Sequence, residues 1–143
     1  MDTAADLSRL LGPLRRAVLR STRAAEGLPD LPDAQIELLR VLSADGPLGT
    51  RAVAERLRVS PSTVSNLVRT MAAAGLVERH ASTTDLRAVD LSVSPGASEL
   101  LDRYDRASRE TLEQAVDRLP PGDRDALTAA LPALARLVTA LEG

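Results

Sequence analysis

Leu7, Leu10, Leu11, Leu14, Val18 and Leu19 recur at steps of three and four residues, the spacing of an amphipathic helix that runs on to about Ala25 and ends at Gly27. Pro13 falls inside this pattern and either kinks the helix or marks its beginning. The run LPDLPD makes a rigid connector, and Asp33 is then placed to cap a helix carrying Ile36, Leu38, Leu39, Val41 and Leu42, which DGP closes. Thr50 is the next expected cap. It opens a helix of about two turns with Val53, Ala54 and Leu57 facing inward.

Ser60-Pro61 reads as a helix start, because the serine oxygen accepts from the N–H of Thr63 while proline fits the first turn, where its missing donor is not needed. Val64, Leu67, Val68 and Met71 form the buried stripe of that helix, and Gly75 is placed for the left-handed position after it. LVERH and AVDLSV then alternate as two strands around ASTTDLR, a polar run too long for a tight turn, so the hairpin projects. Ser94-Pro95 repeats the cap-plus-proline start for a helix through about Leu119, with Leu100, Leu101, Tyr104, Ala107, Ser108, Leu112 and Val116 as candidate buried positions. PPGD breaks it, and a last helix carries Leu127, Leu131, Leu134, Leu137, Val138 and Leu141.

Composition sharpens this outline. The 143 residues are 44% hydrophobic but 1% aromatic, without Phe or Trp, so the core is built from Leu, Val and Ala and the expected fold is a single, mostly helical domain. The absence of Cys excludes disulfides, thiolate metal sites and cysteine redox sensing, and no cofactor is expected. No long apolar run or secretory pattern is visible, so the chain is expected to be cytoplasmic, with no membrane partner. The net charge of −2 argues against a chain that coats nucleic acid everywhere. Its distribution leaves room for a local patch: residues 51–93 hold six Arg against four acids, whereas residues 1–50 hold six against seven and residues 94–143 six against nine.

Two short helices joined at RVS and followed by a hairpin describe a winged helix-turn-helix, in which the helix after Ser60 is the one that enters the major groove. Its sequence suits that task. From Ser60 to Ala74 there is no Asp or Glu, and Ser62, Thr63, Asn66 and Arg69 share the side opposite the apolar stripe, offering donors and acceptors to base edges and phosphates. Its N-terminus also points free N–H groups at a phosphate. Ser and Thr cluster at helix starts merely to cap them, however, and that plainer reading stands beside the first. Near the hairpin tip Asp85 and Arg87 are two residues apart, so the carboxylate can hold the guanidinium for a narrow, negative minor groove; a solvated surface ion pair would look the same in sequence.

The stretch LSADGPLGTRAVAERLRVSPSTVSNLVRTMAAAGLVERHASTTDLRAVDLSVSPGASELL resembles the multiple-antibiotic-resistance regulator (MarR) family, and the likeness extends over nearly the whole chain. The resemblance implies a winged helix-turn-helix, mostly α with a small two- or three-stranded β-wing, in residues 33–94. Residues 1–32 and 95–143 would supply the dimerisation helices. It further implies a homodimeric transcriptional regulator, a repressor, that binds an inverted-repeat operator in double-stranded DNA. Ser62, Thr63, Asn66 and Arg69 then fall at major-groove positions, and Asp85 and Arg87 at the wing tip. Two positions depart from the family pattern. Leu86 stands where the wing usually has a second Arg, and Arg58 occupies a turn position where Gly is common.

Members of the family commonly bind small amphipathic compounds, so a small-molecule effector is a further expected partner. An aliphatic cavity with Arg15, Arg16 or Tyr104 as polar anchors would hold it, although these residues read by default as surface or dimer contacts. His80, with Asp85 and Asp90 nearby in sequence, reads as a surface strand residue rather than a metal ligand, and no metal is expected. No nucleophile with a base and no phosphate loop is visible, so the chain is not expected to be an enzyme. The rival to a DNA-binding regulator is a winged-helix module that contacts protein through the same helices.

Overall fold

The computed structural model describes residues 1–85 and 87–143, and the side chains of all of these except residues 25 and 26. Leu86 thus lies outside the described residues. The elements are α1 (Thr3–Glu26), α2 (Asp33–Asp45), β1 (Leu48–Gly49), α3 (Thr50–Leu57), α4 (Pro61–Ala73), β2 (Val77–Ala81), β3 (Val89–Val93), α5 (Pro95–Asp117) and α6 (Pro121–Glu142). The mostly helical class with a three-stranded wing is as expected. The chain divides into two compact units, residues 23–107 and residues 1–22 with 108–143, so α1 and α5 each contribute to both.

In the unit of residues 23–107 the apolar stripes of α2, α3 and α4 converge on the sheet. Leu38, Leu39, Val53, Val64, Met71 and Leu91 are wholly buried there, and Leu101, Tyr104 and Ala107 of α5 join the same core. Aliphatic side chains fill it almost alone. The Tyr104 hydroxyl satisfies itself by donating to the carbonyl of Pro29, which ties α5 to the connector before α2. The sheet runs β1-β3-β2, all antiparallel. Its third strand is a pair of residues, Leu48 and Gly49, opposite Leu91 and Asp90, too short for alternation to reveal.

Capping explains most boundaries and corrects two. Ser60 accepts from Thr63 N at 3.2 Å and Ser94 from Ala97 N at 3.1 Å, as the Ser-Pro pairs predict. Asp33 and Thr50, by contrast, are the first residues of their helices, and Pro32 and Gly49 take the cap positions without a side-chain bond. Each expected cap is displaced one residue into the helix. At the end of α2 the Gly46 N–H donates to Leu42 O at 2.8 Å, and a Cβ at residue 46 would come within 2.4 Å of that oxygen, so the close turn that ends the helix has room only for glycine there. Gly75 follows α4 with φ +75, the left-handed geometry its position called for.

Arg58, the C-cap of α3, has φ 58 and ψ 42, the left-handed region that costs a non-glycine residue about 1 kcal/mol. The helix-turn-helix corner is therefore made in the geometry glycine would adopt, with arginine in it. Arg58→Gly should raise unfolding free energy by about 0.5–1 kcal/mol, less whatever its side chain contributes through its own interactions, and a urea titration reads the shift in midpoint.

The unit of residues 1–22 and 108–143 is different in kind. α1 begins at Thr3, so Pro13 neither starts it nor ends it; the helix runs through, and the carbonyl of Arg9 goes without its usual amide partner. Pro132 sits inside α6 in the same way. No residue of α6 is buried within the chain, and Leu131, Val138 and Leu141 are 58%, 54% and 75% exposed. The expected burial along α5 likewise stops at Ala107: Leu112 is exposed, and Ser108 and Val116 are half-buried.

Candidate nucleic-acid interface

The outward side of α4 begins with the serine cap. Besides the Thr63 amide, the Ser60 hydroxyl lies 3.1 Å from the Ser62 hydroxyl and 2.9 Å from that of Thr63, so three hydroxyls close the first turn of α4 as one cluster. The capping reading and the DNA reading of these residues are thus not alternatives. Ser62 and Thr63 are exposed and keep spare hydrogen-bonding capacity, but part of it is committed to the helix start.

One turn further along, Asn66 and Arg69 are exposed while Val64, Val68 and Met71 are buried, with Leu67 partly so. The four predicted positions therefore do share one outward side of α4. Neither the Asn66 amide nor the Arg69 guanidinium has an ion pair or side-chain hydrogen bond among the described residues. Nearly every polar atom they carry is open to an external partner. With no acidic residue anywhere in α4, nothing on the helix itself repels a phosphate.

The wing differs from its expectation in one detail. The Asp85 carboxylate accepts from the backbone N–H of Arg87 at 3.0 Å, and the two side chains form no ion pair among the described residues. A short carboxylate two residues before an amide closes a ring with the main chain more readily than it reaches the end of a long flexible side chain. Ser82, buried, does the same from the other side, its hydroxyl accepting from Thr84 N and Asp85 N at 3.3 Å each. Ser82 N and Ala88 N close the base of the loop on Ala88 O and Asp85 O at 3.1 and 3.0 Å. The loop is shaped by main-chain bonds, and the exposed Arg87 side chain is carried on it.

Strand alternation places two further groups. His80 Nε2 lies 2.8 Å from the Ser92 hydroxyl and 3.6 Å from Glu78 Oε2, on one face of the hairpin. Among the described residues no three His, Asp or Glu side chains are grouped to hold a metal. Arg79, which sequence reasoning passes over, is exposed on the other face and has no polar partner among the described residues. The signal that could find it is its place two residues after the buried Val77 in an alternating strand.

Neither of two recesses formed by the described residues is lined by Arg15, Arg16 or Tyr104. Tyr104 is buried and spends its hydroxyl on Pro29 O, so it is a structural bond. Arg15 and Arg16 are exposed on α1. An apolar recess of about 140 Å³ lies between α1 and α5 in the terminal unit, lined by Leu14, Val18, Thr111 and Leu112 among others. A more polar one of about 200 Å³ in the other unit is bounded by Arg40, Leu101, Asp102 and Asp105, with Arg40 and Asp105 paired at 2.8 Å. Both are smaller than the roughly 300–1,000 Å³ of ordinary small-molecule sites. No helix among the described residues is long and apolar enough to cross a membrane.

A sequence profile of the MarR family matches residues 30–88, the segment that contains α2, α3, α4 and most of the wing. An HTH-type transcriptional regulator of Mycobacterium tuberculosis is 31% identical over 134 residues, which cover 92% of this chain and 94% of the relative. Among solved structures, MepR of Staphylococcus aureus, a transcription regulator of the multidrug efflux pump MepA, superposes with a TM-score of 0.76 at 17% identity over 99% of both chains. FabT of Streptococcus pneumoniae, solved in complex with DNA, gives 0.74 at 17% identity over 98% of this chain and 99% of FabT.

Proposed function

Because the chain belongs to the MarR family of transcriptional regulators, we propose that it represses transcription in the cytoplasm by binding an inverted-repeat operator in double-stranded DNA as a homodimer, and that a small organic ligand releases it. The observation that carries this reading is the outward side of α4, which is free of acids and offers Asn66 and Arg69 with no internal partner among the described residues. Ser62, Thr63, Asn66 and Arg69 face the major groove, and Arg87, set on the loop that Asp85 shapes, enters the minor groove beside it. Residues 33–94 bind DNA, and residues 1–32 and 95–143 pair the subunits. The leucines exposed along α6 support that pairing, since a two-fold partner is the commonest way to cover such a stripe. That FabT was solved with DNA supports the choice of partner.

Release follows from linkage: a ligand changes operator occupancy only through different affinities for two spacings of the recognition helices. Thiol oxidation is excluded as a trigger, since the chain has no Cys. The deciding experiment incubates the protein with random duplex DNA and sequences what is retained. An enriched inverted repeat with half-site centres about 10 base pairs apart, or a multiple of that, is expected. Recovery of unenriched sequence would refute specific binding and favour the protein-interaction module. Transcription from a template bearing the recovered repeat should fall on addition of protein; a rise would make it an activator.

The wing has its own expected result. Arg87→Ala should weaken binding to all sequences alike and lower the slope of log K against log salt by about 0.9 for each phosphate that is no longer neutralised, close to two for the dimer. Asp85→Ala should act in the same direction more mildly, because it removes the bond to the Arg87 amide but leaves the charge. Equilibrium titrations at several salt concentrations measure both.

A further inference from the structure

The wing sorts its charges by face. In the antiparallel pairing of β2 with β3, Arg79 is opposite Leu91, Val77 opposite Val93, His80 opposite Asp90 and Glu78 opposite Ser92, and residues directly opposite share a face of the sheet. Val77 and Leu91 are buried in the core, so their face is the one on which the helices pack. Arg79 leaves the strand on that same face, just beyond the covered part, whereas both acids of the hairpin strands, Glu78 and Asp90, leave on the opposite one. The single positive charge of the two strands is thus on the side toward α4, which packs against β2. It is exposed and unpartnered among the described residues, although Glu78 is its neighbour in sequence.

If α4 occupies a major groove and the wing tip the adjacent minor groove, one sugar-phosphate strand separates them and must run between the helix and the tip. Arg79 lies in β2, the strand that leads from α4 to the wing loop, on the face toward the helices. We infer that Arg79 holds a phosphate of this intervening strand and so fixes how deeply α4 and Arg87 enter their grooves. The inference rests on the α4-and-wing reading above. It makes Arg79 a positioning residue that carries no base information, because a phosphate is the same under every base pair.

The test compares full-length wild type, Arg79→Ala, Arg79→Lys and Arg79→Gln on the selected operator and on a scrambled duplex of equal length, between about 50 and 200 mM salt. Arg79→Ala should weaken binding to both duplexes by the same factor and lower the salt slope by about two for the dimer, so that its deficit against wild type narrows roughly tenfold across that range. Arg79→Lys should keep most of the slope, since a phosphate accepts a point charge, and Arg79→Gln should lose it at nearly constant length. That last pair preserves the contrast if Arg79→Ala loses helical signal. An Arg79→Ala protein with the affinity and slope of wild type would overturn the inference while leaving the α4 reading intact. A changed ratio between operator and scrambled duplex would overturn it too, by making Arg79 a base reader. Wild type without salt-dependent binding would remove the reading beneath it.

Discussion

Leu131→Asp with Val138→Asp is expected to turn the protein into monomers and to weaken operator binding by roughly 10²–10⁴-fold, the deficit incurred when two linked half-site interactions become independent. The two positions are seven residues apart on one side of α6, and both are more than half exposed within the single chain. In an isolated subunit the new carboxylates would sit in water, at little cost beyond helix propensity, so the helical signal should persist. Between two subunits they would be buried without partners, which costs several kcal/mol per charge. Sedimentation velocity at micromolar concentration separates the cases. A double variant that still sediments as a dimer, or a wild type that sediments as a monomer, would mean that α6 does not hold the assembly.

The second large effect falls on specificity. Asn66→Ala and Arg69→Ala each remove a side chain able to bond a base edge in bidentate fashion, Asn to adenine and Arg to guanine, worth about 1–3 kcal/mol per half-site. In a dimer each substitution acts in both half-sites, so the ratio of operator to scrambled affinity should fall at least about thirtyfold for either variant. Neither side chain supports the fold through a polar bond among the described residues, so the unfolding midpoint should move little. That pairing of outcomes is diagnostic. If the double variant keeps its preference while Arg87→Ala changes which bases are favoured, α4 is not the reader and the wing is.

How much of the fold is legible in the sequence follows the range of the forces involved. The stripes of α2 and α4 and the Ser60-Pro61 and Ser94-Pro95 starts depend on residues within one or two turns, and they stand where the pattern puts them. The caps expected at Asp33 and Thr50 are displaced by one residue because Pro32 and Gly49 adopt extended cap geometry without needing a side-chain bond. Long-range partners are beyond reach. Nothing in the sequence ties Tyr104 to Pro29 or pairs Leu48 with Leu91, since both depend on chain paths that only tertiary packing decides. The outward side of α4 is legible for the same reason as its buried side, one being the complement of the other. The face of Arg79 can be read from alternation after Val77, but not what stands opposite it, because that comes from the register of β2 on β3. Asp85 bonds a different part of Arg87 from the one expected, because proximity in sequence does not say whether an amide or a guanidinium is nearer.

The bonding of the wing loop has an evolutionary consequence. Ser82 and Asp85 hold the loop through main-chain amides, and the side chain at position 87 contributes no polar bond to its shape among the described residues. Substitution at 87 is therefore close to selectively neutral for folding, while any replacement of Ser82 is penalised whatever the DNA. A lineage can drift through Arg, Lys, Gln or His at the tip, tuning the charge it presents, without first acquiring a compensating mutation to keep the loop standing. Among descendants of a duplicated copy, residue 87 should vary early, with residues 82 and 85 the last of the hairpin to change.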